Sequence, residues 1–205
     1  MSPRHHPSIE ILTAYASGVL EPGFGLVVGA HLEACGHCRS QARALQAASG
    51  EALRQLPEMD LAEGALARAM SRLDEPALAP APADRREILH RLPLRAKRWV
   101  APGVWVAAVD TPHAADNRVY VLRVGAGAAT ARHAHSGMEF CTVLKGAYRD
   151  EVGLFRAGDF AAAESDLNHR PVIEGDEECI CLFATEGRLK PQGMLGQVAF
   201  AIANV

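Results

Sequence analysis

Residues 127–146 read GAATARHAHSGMEFCTVLKG and carry the most informative pattern in the second half of this 205-residue chain. His133 and His135 are two residues apart, so on a β-strand both imidazole rings project to the same face. Ser136 and Gly137 form a turn signal, after which the Glu139 carboxylate can return to the same interior. The spacing G-x5-H-x-H-x3-E-x6-G therefore indicates metal ligands gathered on neighbouring strands.

The sequence around this motif alternates with a period of two, as expected of short β-strands. Five such segments, separated by Gly, Pro and Asp-Asn turn signals, are residues 99–110, 117–127, 139–151, 153–164 and 179–187. We expect residues 198–202, VAFAI, to form the last strand. Many short strands at regular spacing predict a β-sandwich or a β-barrel.

A second segment, residues 153–159, is followed by His169, which can supply a third imidazole. Together the two segments resemble the two motifs of the cupin family. The resemblance implies a β-barrel with a divalent metal inside, bound by His133, His135, Glu139 and His169. Arg156 stands where the second motif usually has a proline that shapes a turn, so the ligand assignment is unaffected. Three imidazoles and a carboxylate suit Zn, Fe, Mn, Ni or Cu, and the sequence does not choose among them.

A linker divides the chain at residues 75–84, EPALAPAPAD, because its repeated prolines remove backbone donors and block helix formation. Before it, the pattern predicts about four helices, at residues 8–17, 22 to about 35, 38 to about 56, and 58–73. The fourth carries an apolar stripe at helical spacing, made of Leu66, Met70 and Leu73. That stripe either packs on its own domain or is presented to a partner. The sequence thus predicts a multidomain protein, with a small all-α domain over residues 1–74 and an all-β cupin barrel over residues 85–205.

The all-α domain contains an H-x3-C-x2-C motif whose candidate metal ligands are His31, Cys35 and Cys38. If one helix continues through Gly36, all three side chains share a face, and even with a break the C-x2-C spacing suits a tetrahedral ion. Two thiolates and an imidazole favour zinc, and a structural site needs a fourth ligand. His5 and His6 are the candidates, whereas His37 points away from the motif. A structural zinc would supply folding free energy that so small a domain lacks.

Charge and hydropathy argue against two classes of partner. The formal net charge is −3, and residues 1–74 hold 6 basic and 8 acidic side chains, so a basic surface for nucleic acid is lacking. The chain has no uninterrupted apolar run of about 18 residues, and its polar N-terminus lacks the apolar core of a signal peptide. We therefore expect a cytoplasmic protein that neither spans a membrane nor binds nucleic acid directly.

The remaining cysteines are Cys141, Cys179 and Cys181, all in strand-like segments. In the cytoplasm thiols stay reduced, so we expect these three to be buried as small apolar side chains, with redox sensing as the alternative. On a strand, Cys179 and Cys181 would point to the same face.

Taken together, the chain resembles the ChrR group of anti-sigma factors, in which a zinc-binding domain precedes a cupin-like domain. The resemblance rests on Arg4-His5-His6, on the segment from Leu12 to Gly18, and on the H-x3-C-x2-C motif. It implies that His6 is the fourth zinc ligand and that the cupin site also holds zinc. It further implies that residues 1–74 bind an extracytoplasmic-function sigma factor by covering surfaces needed for core RNA polymerase. The cupin domain would then be required for release under stress, which is singlet oxygen in the best-known member.

This interpretation makes the chain a transcriptional regulator and not an enzyme. The alternative is a cupin metalloenzyme, an oxygenase or small-molecule hydrolase, whose N-terminal domain serves only assembly. Because the cupin fold carries both enzymes and non-catalytic sensors, the fold alone does not choose between them.

Overall fold

The N-terminal part of the protein is helical, as predicted. The computed structural model describes residues 2–75, 88–112, 117–165 and 167–203, so nearly all of the predicted linker lies outside the described residues. The helices are α1 Ile9–Ala16, α2 Pro22–Ala34, α3 Gly36–Arg54 and α4 Ala65–Ser71, followed by a 3-10 turn at Arg72–Asp74 and a short α5 at Ile88–Arg91. Among these described residues, no helix is long and apolar enough to cross a membrane.

Local sequence explains where the first helices begin. The Ser8 side chain accepts a hydrogen bond from the Ile11 backbone and caps α1. Helix α2 starts with Pro22, whose missing N–H costs nothing in the first turn, and the Glu21 side chain accepts from the Gly23 backbone. The four predicted helices are therefore present, although α4 is shorter than expected.

The rest of the chain is mainly antiparallel β-structure, which confirms the predicted all-β barrel. Its strands are β1 Arg98–Ala101, β2 Val104–Ala108, β3 Asn117–Val124, β4 His133–Ala134, β5 Glu139–Lys145, β6 Ala147–Arg149, β7 Leu154–Arg156, β8 Phe160–Ala163, β9 Asn168–His169, β10 Val172–Ile173, β11 Cys179–Glu186 and β12 Lys190–Pro191. One sheet has the order β1-β2-β3-β11-β5-β8, and two smaller sheets have the orders β10-β6-β7 and β12-β4-β9. Side chains from all three sheets line one interior cavity.

The large sheet is buried on both faces. Along β11, Cys179, Cys181 and Phe183 face the cavity, whereas Ile180 and Leu182 alternate with them. These two alternate side chains belong to a core cluster that also contains residues of α1 and α2. Because the helices cover the outer face, β11 is almost continuously apolar instead of alternating with polar residues.

Among the N-terminal helices, α2 packs most extensively on the barrel. The Phe24 ring meets the Phe140 ring edge to face, with their centroids 4.9 Å apart. A Cβ added at Gly23 would lie 2.4 Å from Cγ2 of Val119, so the helix approaches β3 more closely than any side chain would permit. The two parts of the chain therefore share one continuous core.

The prediction that residues 198–202 form the last strand is wrong. Residues 198–202 belong instead to a helix, α6 Met194–Ala203, which begins after the left-handed Gly193 and packs on β1 and β12. A short apolar run fits a buried strand and a helix equally well. The residues that precede it, Met and Leu among them, are good helix formers and extend the segment to helical length.

Candidate metal centres

The first candidate centre lies in the helical part and consists of His6, His31, Cys35 and Cys38, whose ligand atoms all lie within 4.8 Å of one another. The His6 Nδ1 atom is 3.5 Å from Cys35 Sγ and 3.3 Å from Cys38 Sγ. A tetrahedron with Zn–S bonds of about 2.3 Å and Zn–N bonds of about 2.0 Å has edges of about 3.5 Å. The group therefore has the dimensions of a four-coordinate zinc site.

A helix break, and not one continuous helix, positions the two thiols. Helix α2 ends at Ala34, and Cys35 adopts an extended conformation in which it caps α3. Its Sγ accepts a hydrogen bond from the backbone N–H of Cys38 at 3.5 Å, which turns both sulfurs toward the same point. The C-x2-C spacing therefore works through a helix N-terminus, where the partial positive charge also favours thiolates.

The three remaining N-terminal histidines have different surroundings, and only His6 joins the group. The His5 ring packs against Phe155 at a tilt of 35°, with centroids 4.3 Å apart, and its Nε2 lies 3.2 Å from the Leu154 carbonyl oxygen. His37 is exposed, and its ring centroid is 5.9 Å from that of His6. The sequence left His5 and His6 as alternatives, and the geometry agrees with the residue that the ChrR resemblance implied.

Burial controls the charge state of this centre. It lowers the pKa of His31, so the ring is neutral and offers a lone pair. Burial, followed by the contact with Cys35, raises the pKa of the Cys38 thiol to about 12. A cation is therefore needed to hold this sulfur as a thiolate, as expected of a metal ligand.

The second candidate centre lies in the barrel, where the four residues predicted from the cupin motifs come together with all ligand atoms within 4.8 Å. Strands β4 and β9 pair His133 with His169, and their Nε2 atoms are 3.2 Å apart. The His135 Nε2 is also 3.2 Å from His169 Nε2, and its Nδ1 is 3.7 Å from the Glu139 carboxylate. All four side chains are buried, so they form a compact set of three imidazoles and a carboxyl.

Two of these imidazoles are oriented by hydrogen bonds to the ring nitrogen that faces away from the candidate centre. His133 Nδ1 donates to the Ala131 carbonyl at 2.9 Å, and His169 Nδ1 lies 2.9 Å from the Asp150 carboxylate. Asp150 is itself held by the backbone N–H groups of Val152 and Gly153. With their Nδ1 atoms engaged, both rings turn Nε2 toward the centre. Sequence reasoning missed Asp150, because nothing in the run Arg-Asp-Glu distinguishes it from a surface carboxylate.

The electrostatics of the barrel centre also favour a cation. Burial lowers the pKa values of His133 and His135 to about 4, so both rings are neutral near pH 7. Burial raises the pKa of Glu139 to about 8, because desolvation disfavours the carboxylate, which needs a positive charge beside it to stay ionised. A divalent ion would supply that charge, so the donor set fits a transition metal.

This centre forms part of the wall of the interior cavity, which has a volume of about 590 Å³. The cavity is mainly apolar and includes Tyr120, Tyr148 and the three barrel cysteines. Cys141, Cys179 and Cys181 are buried, as predicted. Burial raises the pKa of the Cys141 thiol, whereas the raised pKa values of Cys179 and Cys181 come first from hydrogen bonds to neighbouring thiols and then from burial. The sulfurs of Cys179 and Cys181 are 3.6 Å apart, so the two side chains do share a face. All five cysteines are free thiols.

Comparison with known proteins agrees with both halves of this architecture. Residues 92–189 match the family model described as the ChrR cupin-like domain. The chain is 39% identical over 198 residues to the anti-sigma-E factor ChrR of Cereibacter sphaeroides, which spans 93% of each protein. The crystal structure of Rhodobacter sphaeroides SigE in complex with the anti-sigma ChrR matches 90% of this chain and 100% of that chain, with 41% identity and a TM-score of 0.76.

The chain is thus a two-part protein, a helical module with a Cys/His cluster packed on a cupin-like barrel that has its own group of candidate ligands. This chain belongs to the ChrR family of anti-sigma factors. Its family is one of regulators, which agrees with the prediction that it is not an enzyme.

Proposed function

We propose that this chain binds an extracytoplasmic-function sigma factor and keeps it from core RNA polymerase. The observation that carries the proposal is the likeness to the SigE–ChrR complex, in which the solved anti-sigma chain is matched over its whole length. A sigma factor works with RNA polymerase, so we place the protein in the cytoplasm.

An exposed apolar surface on the helical part supports this proposal. The exposed fractions of Leu66 and Met70 on α4 are 68% and 56%, and that of Leu73, in the 3-10 turn that follows, is 74%. The stripe therefore does not pack on its own domain, and of the two alternatives the sequence allowed, presentation to a partner fits better. Leu53 near the end of α3 is exposed as well, as are Leu56, Met59 and Leu61 between α3 and α4. A run of apolar side chains in water is typical of a protein-binding segment.

We further propose that the His6/His31/Cys35/Cys38 centre holds a structural zinc. Two thiolates and two imidazoles form a closed tetrahedral set that leaves no position for a substrate. The zinc would hold the N-terminal segment, α2 and α3 together. We assign zinc or another divalent metal to the barrel centre, because three imidazoles and a carboxylate accept several ions.

The barrel is the part that we assign to stress sensing. We propose that an oxidative signal of the singlet-oxygen type reaches the barrel and leads to release of the sigma factor. The metal centre beside a cavity of about 590 Å³ supports this assignment, because a signal molecule or oxidant could reach the metal and the cysteines from one space.

The direct test is co-purification of the full chain with an extracytoplasmic-function sigma factor from its own organism, together with in vitro transcription by the matching holoenzyme. The wild-type protein should form a 1:1 complex and inhibit transcription. The double variant Leu66→Asp/Met70→Asp should weaken binding at least about tenfold, because it places charge in the apolar interface. The matched control Val198→Asp/Ile202→Asp has the same spacing on α6 and should bind like wild type. Failure of the wild-type chain to bind or inhibit any such factor would contradict the proposal.

A further inference from the structure

The turn between β7 and β8 belongs to the barrel, yet it contacts the metal centre of the helical part. The Gly158 carbonyl oxygen lies 2.7 Å from Nδ1 of His31. A carbonyl can only accept, so Nδ1 carries the proton and Nε2 keeps its lone pair. Among the described residues, Nε2 of His31 has no hydrogen-bond partner although it is buried. The barrel therefore selects the tautomer of His31 that can bind a metal.

Asp159, the next residue in this turn, holds the segment that carries His6. One carboxylate oxygen accepts from the backbone N–H of Arg4 at 2.6 Å and of His5 at 3.2 Å. The other accepts from the backbone N–H of Arg156 at 2.8 Å, so Asp159 joins the N-terminal segment to its own turn. The side chain is only 2% exposed, which strengthens each of these charge-assisted bonds.

A further backbone contact completes the attachment. The Phe160 N–H donates to the His5 carbonyl at 3.1 Å, so residues 4 and 5 are held on both sides immediately before His6. Gly158 has φ +92°, and a Cβ there would lie 3.0 Å from Pro3 and 3.1 Å from Ala34. The turn therefore packs directly against the N-terminal segment that carries His6 and against the end of α2, next to Cys35.

We propose that the turn of residues 156–160 is the outer coordination layer of the N-terminal metal centre. Gly158 orients His31 and Asp159 positions His6, so the barrel controls how tightly the helical part holds its metal. The inference rests on the proposed metal at His6, His31, Cys35 and Cys38. Loss of a group that orients a ligand typically costs 10- to 100-fold in metal affinity.

The same turn is linked to the barrel centre through one strand pair. Strand β8 starts at Phe160 and pairs with β5, where Ala163 lies opposite Glu139. Thr142, three residues further along β5 than Glu139, pairs with Phe160 itself. A change in the backbone of β5 at Glu139 therefore has a short path to the turn. This arrangement makes the turn a positioning element between the two centres.

The test uses the full chain loaded with Co²⁺. Only the N-terminal centre has thiolate ligands, so its thiolate-to-cobalt charge-transfer band reports this centre alone. We expect Asp159→Ala to speed the loss of this band to excess EDTA by 10- to 100-fold, and Asp159→Asn, which keeps one acceptor oxygen, to have a smaller effect. The control Asp110→Asn removes an exposed carboxylate on the barrel and should match wild type.

A second measurement avoids any change in the turn. Cys38→Ser should weaken metal binding only at the N-terminal centre, and amide hydrogen exchange in residues 156–160 should then rise while β11 stays protected. The inference is overturned if Asp159→Ala loses cobalt within twofold of the wild-type rate, or if exchange in the turn is unchanged in Cys38→Ser. A wild-type protein without a thiolate–cobalt band would remove the metal centre itself, whereas a normal band without sigma-factor binding would contradict only the proposed function.

Discussion

The Thr142 hydroxyl on β5 donates a 2.9 Å hydrogen bond to the main-chain carbonyl of Val27 on α2. Both residues are buried, and they are 115 positions apart in the sequence. A polar bond in the middle of an apolar interface fixes the position of α2 along the strand, because sliding would leave the hydroxyl without a partner.

Replacing this hydroxyl by a methyl group should measurably weaken the fold. Thr142→Val preserves shape and β-branching, so the expected loss is about 1 kcal/mol of unfolding free energy, the usual net value of one hydrogen bond. Urea denaturation followed by circular dichroism would measure it. Thr13→Val is the matched control, because the Thr13 hydroxyl bonds to Ile9 on an exposed helix face. Equal stability of Thr142→Val and wild type would show that the bond does not contribute.

The two glycines that bound the first cupin motif should differ in their tolerance of alanine. Gly127 and Gly146 both have φ near +70°, a conformation that costs a non-glycine residue about 1 kcal/mol or more. A Cβ at Gly146 would also lie 2.3 Å from the Glu178 carbonyl oxygen, whereas at Gly127 nothing lies within 4 Å. Gly146→Ala should therefore lower the melting temperature clearly more than Gly127→Ala. Similar melting temperatures would mean that the backbone moves aside at little cost.

Replacing one ligand in either candidate centre should remove one metal ion per chain and leave the other ion bound. With both centres occupied, elemental analysis should find two divalent ions per chain, corresponding to the two ligand groups. His133→Ala should lose the barrel ion and Cys38→Ser the N-terminal ion, each leaving the other in place. His90→Ala changes an exposed histidine outside both groups and should keep both ions. Retention of two ions in His133→Ala would exclude that residue as a ligand.

The metal-free protein should be most stable near pH 6.5. The folded pKa of Glu139 is raised to about 8, so the folded state holds a proton that the unfolded chain releases near 4.5, and stability falls as the pH rises toward 8. The folded pKa values of His133 and His135 are lowered to about 4, so the unfolded chain takes up protons below 6.5 and stability falls as the pH drops. Below pH 6.5 the two histidines lower the free energy of unfolding by more than the single carboxyl group raises it, so the net stability falls.

Urea midpoints of chelator-treated protein at pH 5, 6.5 and 8.5 would test this dependence. The alkaline loss should disappear in Glu139→Gln, and also in the metal-loaded protein, where the cation balances the carboxylate. A metal-free protein that is as stable at pH 8.5 as at pH 6.5 would contradict the raised pKa of Glu139.

Local sequence patterns predicted most of the helices and strands and most of the candidate ligands, whereas His6 followed only from the resemblance to the ChrR group. The periods of 3.6 and 2 separate the helical and β parts because backbone hydrogen bonds dictate which side chains share a face. His133, His135 and Glu139 are recognisable because they lie within seven residues of one another on adjoining strands. The same local pattern did not distinguish a strand from a helix at VAFAI, since a five-residue apolar run is compatible with both.

Contacts between distant parts of the chain depended on the tertiary structure. Nothing in the sequence near His5 and His6 indicates which ring reaches the cysteines. In the structure, Asp159 holds the backbone of Arg4, 155 residues away, and the His5 ring packs against Phe155, so that His6 is the ring beside the cysteines. Likewise, α2 is an apolar helix in the sequence, but only packing shows that its partner is the outer face of the barrel sheet. Spacing along the chain thus predicted most of the candidate ligands of both metal centres. Only folding decided that the barrel also contacts the residues that carry the ligands of the helical part, because those contacts join residues more than 120 positions apart.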